Sequence, residues 1–349
     1  MSAFGAGRVQ AELRLSFDEI RPGIWAMLQP EASRFNDSNS VVLISDEDVI
    51  VVDSQANPAT VRALIAAIRE RTDKPVRYLV NTHFHSDHTR GNFVYRKEFG
   101  NVEIVGHRSL IDDIPKRAAP DLDNELTLYR REIPAGEERL AQGIDRAGQA
   151  MDEEGLATLA AQIEAARAVL ADLESIEWIV PTLAVEQSLT FNRSVGPIEV
   201  RTVHAHTPGD LVVYLPDARV LVTGDVLDDL PYGGHGYPSD WVAALNELEA
   251  LDWEVLIPGH GQVRTGDEAR EHLRTVRSLF ELMISSASRA EQLETDMDMA
   301  RSAFLESEDL EPLRRQLVGD DPVAEKAFDD FVPASYERAL LEAQGRLPD

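Results

Sequence analysis

Residues 83 to 88 read His-Phe-His-Ser-Asp-His, which puts three imidazoles and a carboxylate within one turn of chain. An apolar run, Val76 to Val80, precedes them and reads as a buried strand; Gly91 and Asn92, common turn residues, follow. A strand that empties into closely spaced nitrogen and oxygen donors is suited to presenting a divalent cation to solvent. Zinc is the first expectation, because it accepts imidazole and carboxylate ligands and has no d-electron geometry to satisfy. A lone His-x-His pair is weak evidence, and a solvated polar loop would explain it equally well. Asp87 and His88 change that, since neighbouring residues point in different directions. Four such groups serve two metals more easily than one: His83 and His85 would face the first, Asp87 and His88 the second.

Further donors stand at the ends of other short apolar runs. Val200 to Val203 leads to His204 and His206 and breaks at Thr207-Pro208-Gly209; Val220 to Thr223 ends in Gly224-Asp225; Val255 to Ile257 ends in Pro258-Gly259-His260. Strand ends beside Gly and Pro turns are where α/β architectures carry their sites. His204 and His206 are two residues apart and could share a strand face. The break in the strand favours His206 as the ligand, leaving His204 to pack or to support a ligand from behind. His107 and His272 read as ordinary histidines.

With Asp53 closing the run Val49 to Val52, these motifs together resemble the metallo-β-lactamase superfamily over roughly residues 20 to 110 and 180 to 265. The resemblance implies an α/β fold, a four-layer αββα sandwich. It implies His83, His85 and His206 on one zinc, Asp87, His88 and His260 on the other, and Asp225 bridging both with a hydroxide. Asp53 would orient the ligand loop by hydrogen bonds, and Asp87 would orient the hydroxide as well as bind zinc. Iron or manganese are alternative metals. The expected chemistry is attack of the bridging hydroxide on an ester, lactone, thioester or lactam. Within the family the local strings look most like the β-lactamase branch, with two departures. Asp225 stands where that branch often has Cys. Asp228 stands where it often has a Lys that grips the lactam carboxylate, so β-lactam hydrolysis is expected to be weak. Candidate substrate-facing groups are Asn92, Asp228, Tyr232, His235 and Tyr237. Phosphodiester cleavage and di-iron oxidoreductase chemistry are the competing readings.

The chain has 349 residues, 34 basic and 62 acidic, for a formal charge of -28. Such a field opposes polyanions, so nucleic acid and anionic membranes are poor partners and a small-molecule substrate is expected. There is no cysteine, hence no disulfide framework and no thiolate zinc site. No apolar signal core is evident at the N-terminus, which makes a cytoplasmic location the expectation.

The elements that must carry these residues are legible in outline. Residues 39 to 53 read as a hairpin; Asn57-Pro58 opens a helix with Val61, Leu64, Ile65 and Ile68 as its buried stripe; residues 197 to 225 read as three strands. Ser239 to Leu251 reads as a helix capped by Ser239. Between 115 and 180, Leu140, Ile144, Ala147 and Met151 recur at helical spacing, as do Leu159, Ile163, Ala166 and Leu170. These predict a helical hairpin inserted in a first domain, residues 1 to 266, followed by a helical C-terminal extension, 267 to 349. Either the hairpin or the tail is a candidate homo-oligomer contact.

Overall fold

The computed structural model describes residues 16 to 347. Two mixed β-sheets face one another. The first has seven strands in chain order: β1 (Ser16–Arg21), β2 (Ile24–Leu28), β3 (Ser40–Ile44), β4 (Val49–Val52), β5 (Val76–Val80), β6 (Glu103–His107) and β7 (Leu183–Val185). The second runs β13-β12-β11-β10-β9-β8. Its members are β8 (Ser188–Arg193), β9 (Gly196–Val203), β10 (Asp210–Leu215), β11 (Val220–Gly224), β12 (Val255–Pro258) and β13 (Arg264–Thr265). In each sheet an antiparallel meander turns parallel at the site-bearing strands: β4, β5 and β6 pair parallel in the first, β11 and β12 in the second.

Strand periodicity sorts the side chains into layers. Val41, Leu43, Ile50 and Val52 meet Val200, Val213, Val222 and Ile257 between the sheets. The alternate residues Val42, Val49, Val51 and Leu79 face outward, onto helices α1 (Pro58–Arg69) and α3 (Asn92–Phe99). On the other flank Leu221 and Leu256 meet α7 (Pro238–Glu249), α8 (Gly266–Gln292) and α11 (Pro322–Ala343). Burial on both faces explains why these strands read as unbroken apolar runs. The result is an αββα sandwich. Asn57 caps α1 by accepting from Ala59 N–H, with Pro58 at the first helical position.

The remaining helices are the short α2 (Ser86–Thr89) and α4 (Leu110–Asp113), the long pair α5 (Ala119–Gln142) and α6 (Glu153–Glu174), and α9 (Met297–Leu305) and α10 (Glu311–Val318). Helices α5 and α6 form the hairpin, closed by Ile133, Leu159, Ile163 and Ala166. Two local expectations change. Helix α5 stops at Gln142, where Gly143 turns left-handed at φ 69°, so Ile144, Ala147 and Met151 lie in the connection rather than on a helical face. Helix α7 begins at Pro238 with Tyr237 at its cap position; Ser239 lies inside the first turn and bonds Glu342 on α11. Among the described residues no helix is long and apolar enough to cross a membrane.

Candidate metal centre

The site lies where the parallel strands end. Strand β5 passes into Asn81 and Thr82, and the histidine loop then folds back as α2. Asn81 pins it: its side-chain amide donates to His88 O at 2.7 Å, and its backbone N–H donates to Val105 O on β6. From the second sheet, His206 stands in the turn between β9 and β10. Asp210 organises that turn, accepting from the N–H groups of Ala205 and Thr207 and from the Thr207 hydroxyl. Asp225 follows β11 and His260 follows β12. Gly259 passes so close to Asp225 that a Cβ there would lie 2.1 Å from its Oδ1, so only glycine fits between these two strand ends.

Seven side chains converge in two groups. His83, His85, His206 and Asp225 bring ligand atoms within 4.8 Å of one another, and Asp87, His88 and His260 do the same. In the first group the three imidazoles meet edge to face with ring centroids 4.6 to 4.7 Å apart. In the second, His260 Nε2 lies 2.9 Å and His88 Nε2 3.4 Å from Asp87 Oδ2. Asp225 stands between them: Oδ1 is 3.1 Å from His88 Nε2, and Oδ2 is 3.5 to 3.6 Å from the Nε2 atoms of His83, His206 and His260.

Most rings are held from behind. His88 Nδ1 bonds Asp53 Oδ2 at 2.8 Å, His83 Nδ1 lies 3.1 Å from Thr82 Oγ1, and His260 Nδ1 donates to Arg34 O at 2.9 Å. Each such contact favours a proton on Nδ1 and leaves Nε2 as the atom that faces inward, toward a cation. His85 is reversed: Nδ1 faces His206, and Nε2 bonds His235 Nδ1 at 2.8 Å. Asp53 itself sits at φ 62°, a backbone state that Asp and Asn tolerate better than other side chains, and also accepts from Thr82 N–H.

The donors fit divalent cations on two grounds. His83 Nε2 is buried without a hydrogen-bond partner, a cost of about 1–3 kcal/mol that coordination removes. The set is also nitrogen and oxygen throughout, a mixture that zinc, iron and manganese accept. Burial holds His83 and His85 well below the usual imidazole pKa and brings His206 down to about 4, so all three are neutral donors. Burial also disfavours charge on His88 and His260, but Asp225, with Asp87 beside it, outweighs it. His88 rises well above its usual value, and His260 rises to about 10.

The remaining candidates are distributed differently. Asn92 is fully buried at the start of α3, its amide bonded to Asn81 and to Ile179 O; it stiffens the loop and does not face a substrate. Asp228 is also buried, accepts from His260 N–H at 2.7 Å, and groups with Asp225 and His260 beneath the site. Its carboxylate therefore has no access to a substrate carboxylate, and burial, then Asp225, raises its pKa well above normal. His204 is exposed and paired with Asp240 on α7, with Tyr237 packed on its ring at 3.9 Å, so it supports no ligand. Tyr232 and His235 do border the centre: Tyr232 lies 6.2 and 6.3 Å from the rings of His85 and His206, and His235 contacts His85 directly. Ordinary in sequence, His272 is packed beneath, donating to Asp228 O. Thr82, Arg34 and Asn39 carry no sequence signal. Yet Thr82 and Arg34 hold ligand rings, and Asn39 binds Pro258 O and Gly261 O on either side of His260.

Comparison with known proteins agrees with this geometry. The chain is 29% identical over 246 residues to a linear primary-alkylsulfatase of Pseudomonas sp., covering 66% of this chain and 43% of that protein. It is 25% identical over 199 residues to a hydroxyacylglutathione hydrolase of Brucella ovis, covering 56% and 52%. The chain thus spans about half the length of the curated relatives it matches. Among solved structures, the stereoselective inverting sec-alkylsulfatase Pisa1 from Pseudomonas sp. superposes with a TM-score of 0.64 at 16% identity, over 94% of this chain and 50% of that one, which shows a shared fold. The family model for the metallo-beta-lactamase superfamily matches residues 34–260, a span that holds every clustered donor from His83 to His260, and the chain belongs to that superfamily.

Proposed function

We propose that this chain is a metal-dependent hydrolase that cleaves a small ester, lactone, thioester or lactam at a two-cation centre. The observation that carries the reading is Asp225, whose two oxygens reach imidazoles of both donor groups. A pair of zinc ions held there would lower the pKa of bound water toward neutrality and polarise the scissile bond. The chain's own side chains do the rest. His83, His85 and His206 offer neutral nitrogens on one side; Asp87, His88 and His260 form the other; Asp87, the most exposed carboxylate of the cluster, is placed to orient water. Tyr232 and His235 border the space a substrate would enter.

A sulfate ester is the second reading, favoured by the similarity to an alkylsulfatase. β-Lactams are expected to be poor substrates, because Asp228, buried and bonded to His260 N–H, offers no cation to their carboxylate. The charge of -28 argues against nuclease action. The test is a hydrolysis panel run on metal-loaded protein: an aryl acetate, a lactone, an acyl-glutathione thioester, a penicillin and a long-chain alkyl sulfate, with His85→Ala as control. Metal-dependent turnover that the control loses supports the reading. Turnover that survives metal removal, or none on any compound, refutes it. Two tightly held iron atoms with a visible absorption band would instead favour oxidoreductase chemistry.

A further inference from the structure

Helix α11 lies outside the 34–260 span that matches the family, yet one of its faces grips the loop beside the metal centre. Phe331, Ser335, Arg338 and Glu342 recur at four-, three- and four-residue intervals, the spacing of a single helical face. Each holds the stretch from Tyr232 to Ser239. Phe331 packs its ring against Tyr232 at 5.3 Å. Ser335 Oγ accepts from Gly233 N–H at 2.8 Å, and a Cβ on Gly233 would come within 2.7 Å of that oxygen. Arg338, buried, donates from Nε to Gly236 O at 2.8 Å, and the Glu342 carboxylate accepts from Ser239 Oγ at 2.8 Å. His235 sits between the Ser335 and Arg338 attachments, and its Nδ1 meets His85 Nε2.

We propose that α11 is a positioning element of the metal centre, holding the 231–238 loop so that His235 fixes the ring and tautomer of His85. His85 presents Nδ1 to the other donors, 3.1 Å from His206 Nε2, so with a cation on Nδ1 its proton would sit on Nε2. His235 Nδ1 accepts that proton's hydrogen bond, as Asp53 and Arg34 O do for His88 and His260. The support of His85 comes from the 231–238 loop. It depends on a C-terminal helix through a loop whose geometry that helix sets.

The inference rests on the two-cation reading, and cobalt(II) titration of the full chain, followed by its visible absorption, separates the two. Wild type is expected to take up two equivalents. His235→Phe is expected to weaken one of them by about ten- to a hundred-fold and to shift its absorption band. The double variant Ser335→Ala/Arg338→Met is expected to weaken the same equivalent by about five-fold, what one lost neutral hydrogen bond is worth. Arg338→Lys alone, which keeps a donor for Gly236 O and leaves Ser335 in place, should bind both equivalents as wild type does. Lys326→Met, an exposed site on the opposite face of α11, should change nothing. Ser335→Ala alone carries the same expectation should the double variant not fold. Two equivalents bound with unchanged affinity and spectrum in every variant would overturn the role of α11 and leave the metal centre standing. No cobalt bound by wild type would instead remove the centre itself.

Discussion

Replacing Asp53 with Asn tests the support of the metal ligands most directly. Asn tolerates the φ of 62° at this position, so the backbone is expected to hold. Its one carbonyl oxygen is claimed by Thr82 N–H, which now bonds Oδ1 at 2.8 Å. The amide nitrogen then takes the place of Oδ2 and donates to His88 Nδ1, now 2.8 Å away. His88 must move its proton to Nε2, the atom 3.1 Å from Asp225 Oδ1, and can no longer offer a lone pair there. Loss of the carboxylate also eases deprotonation of His88, which acts the other way. The tautomer is expected to dominate, because it removes one of the three donors of the second group outright. Loss of an outer hydrogen-bond partner typically costs ten- to a hundred-fold in metal affinity, about 1.4–2.7 kcal/mol. Competition with a chromophoric chelator should show one zinc equivalent weakened by that factor and the other, with His83 still held by Thr82 Oγ1, nearly unchanged. Two equivalents with wild-type affinity would show that Asp53 does not set the His88 tautomer.

Three further outcomes follow from the same geometry. His88 and His260 carry protons at neutral pH because Asp225 and Asp87 outweigh burial, so a cation must displace them; affinity should rise with pH, and calorimetry in buffers of different ionisation enthalpy should report proton release. Affinity independent of pH between 6 and 9 would contradict this. His272 has its pKa lowered to about 4, by burial first and then by Arg264, against 6.5 in the unfolded chain. The folded state binds fewer protons, so this group's contribution to stability is complete above pH 6.5 and is lost as pH falls toward 4. His272→Gln should flatten that part of the urea-unfolding profile, and an identical slope in both proteins would count against it. Asp210→Ala strands the N–H groups of Ala205 and Thr207 in a buried turn, an expected cost of about 1–3 kcal/mol in chemical denaturation, with looser metal binding through His206.

The histidine cluster was legible because its residues are adjacent in sequence and chemically unambiguous. Val61, Leu64, Ile65 and Ile68 were legible because a helix against a sheet repeats its buried positions every three to four residues. Local pattern and structure part where a tertiary contact decides the outcome. Gly-Asn at 91–92 has the composition of a turn, but Asn81 and Ile179 O claim the Asn92 amide and make it the start of a helix. His204 and His206 are equivalent by type. Strand β9 ends at Val203, and the turn that Asp210 organises sends His204 to Asp240 at the surface and His206 into the cluster. Asp228 lay at the right offset for substrate recognition and is instead drawn under His260 by its backbone N–H.

Taken alone, the sequence determined which chemistry is available: nitrogen and oxygen donors without a thiolate, set at the ends of strands apolar enough to be buried on both faces. That much follows from residue type and short-range periodicity, which act within a few positions of the chain. Tertiary structure decided which lone pairs converge. Asp225 meets His88 across 137 positions of sequence, and His260 takes its support from the backbone of Arg34, 226 residues away. Contacts of 3.1 and 2.9 Å between such distant segments exist only once both sheets and the helices behind them have packed. No local pattern encodes them.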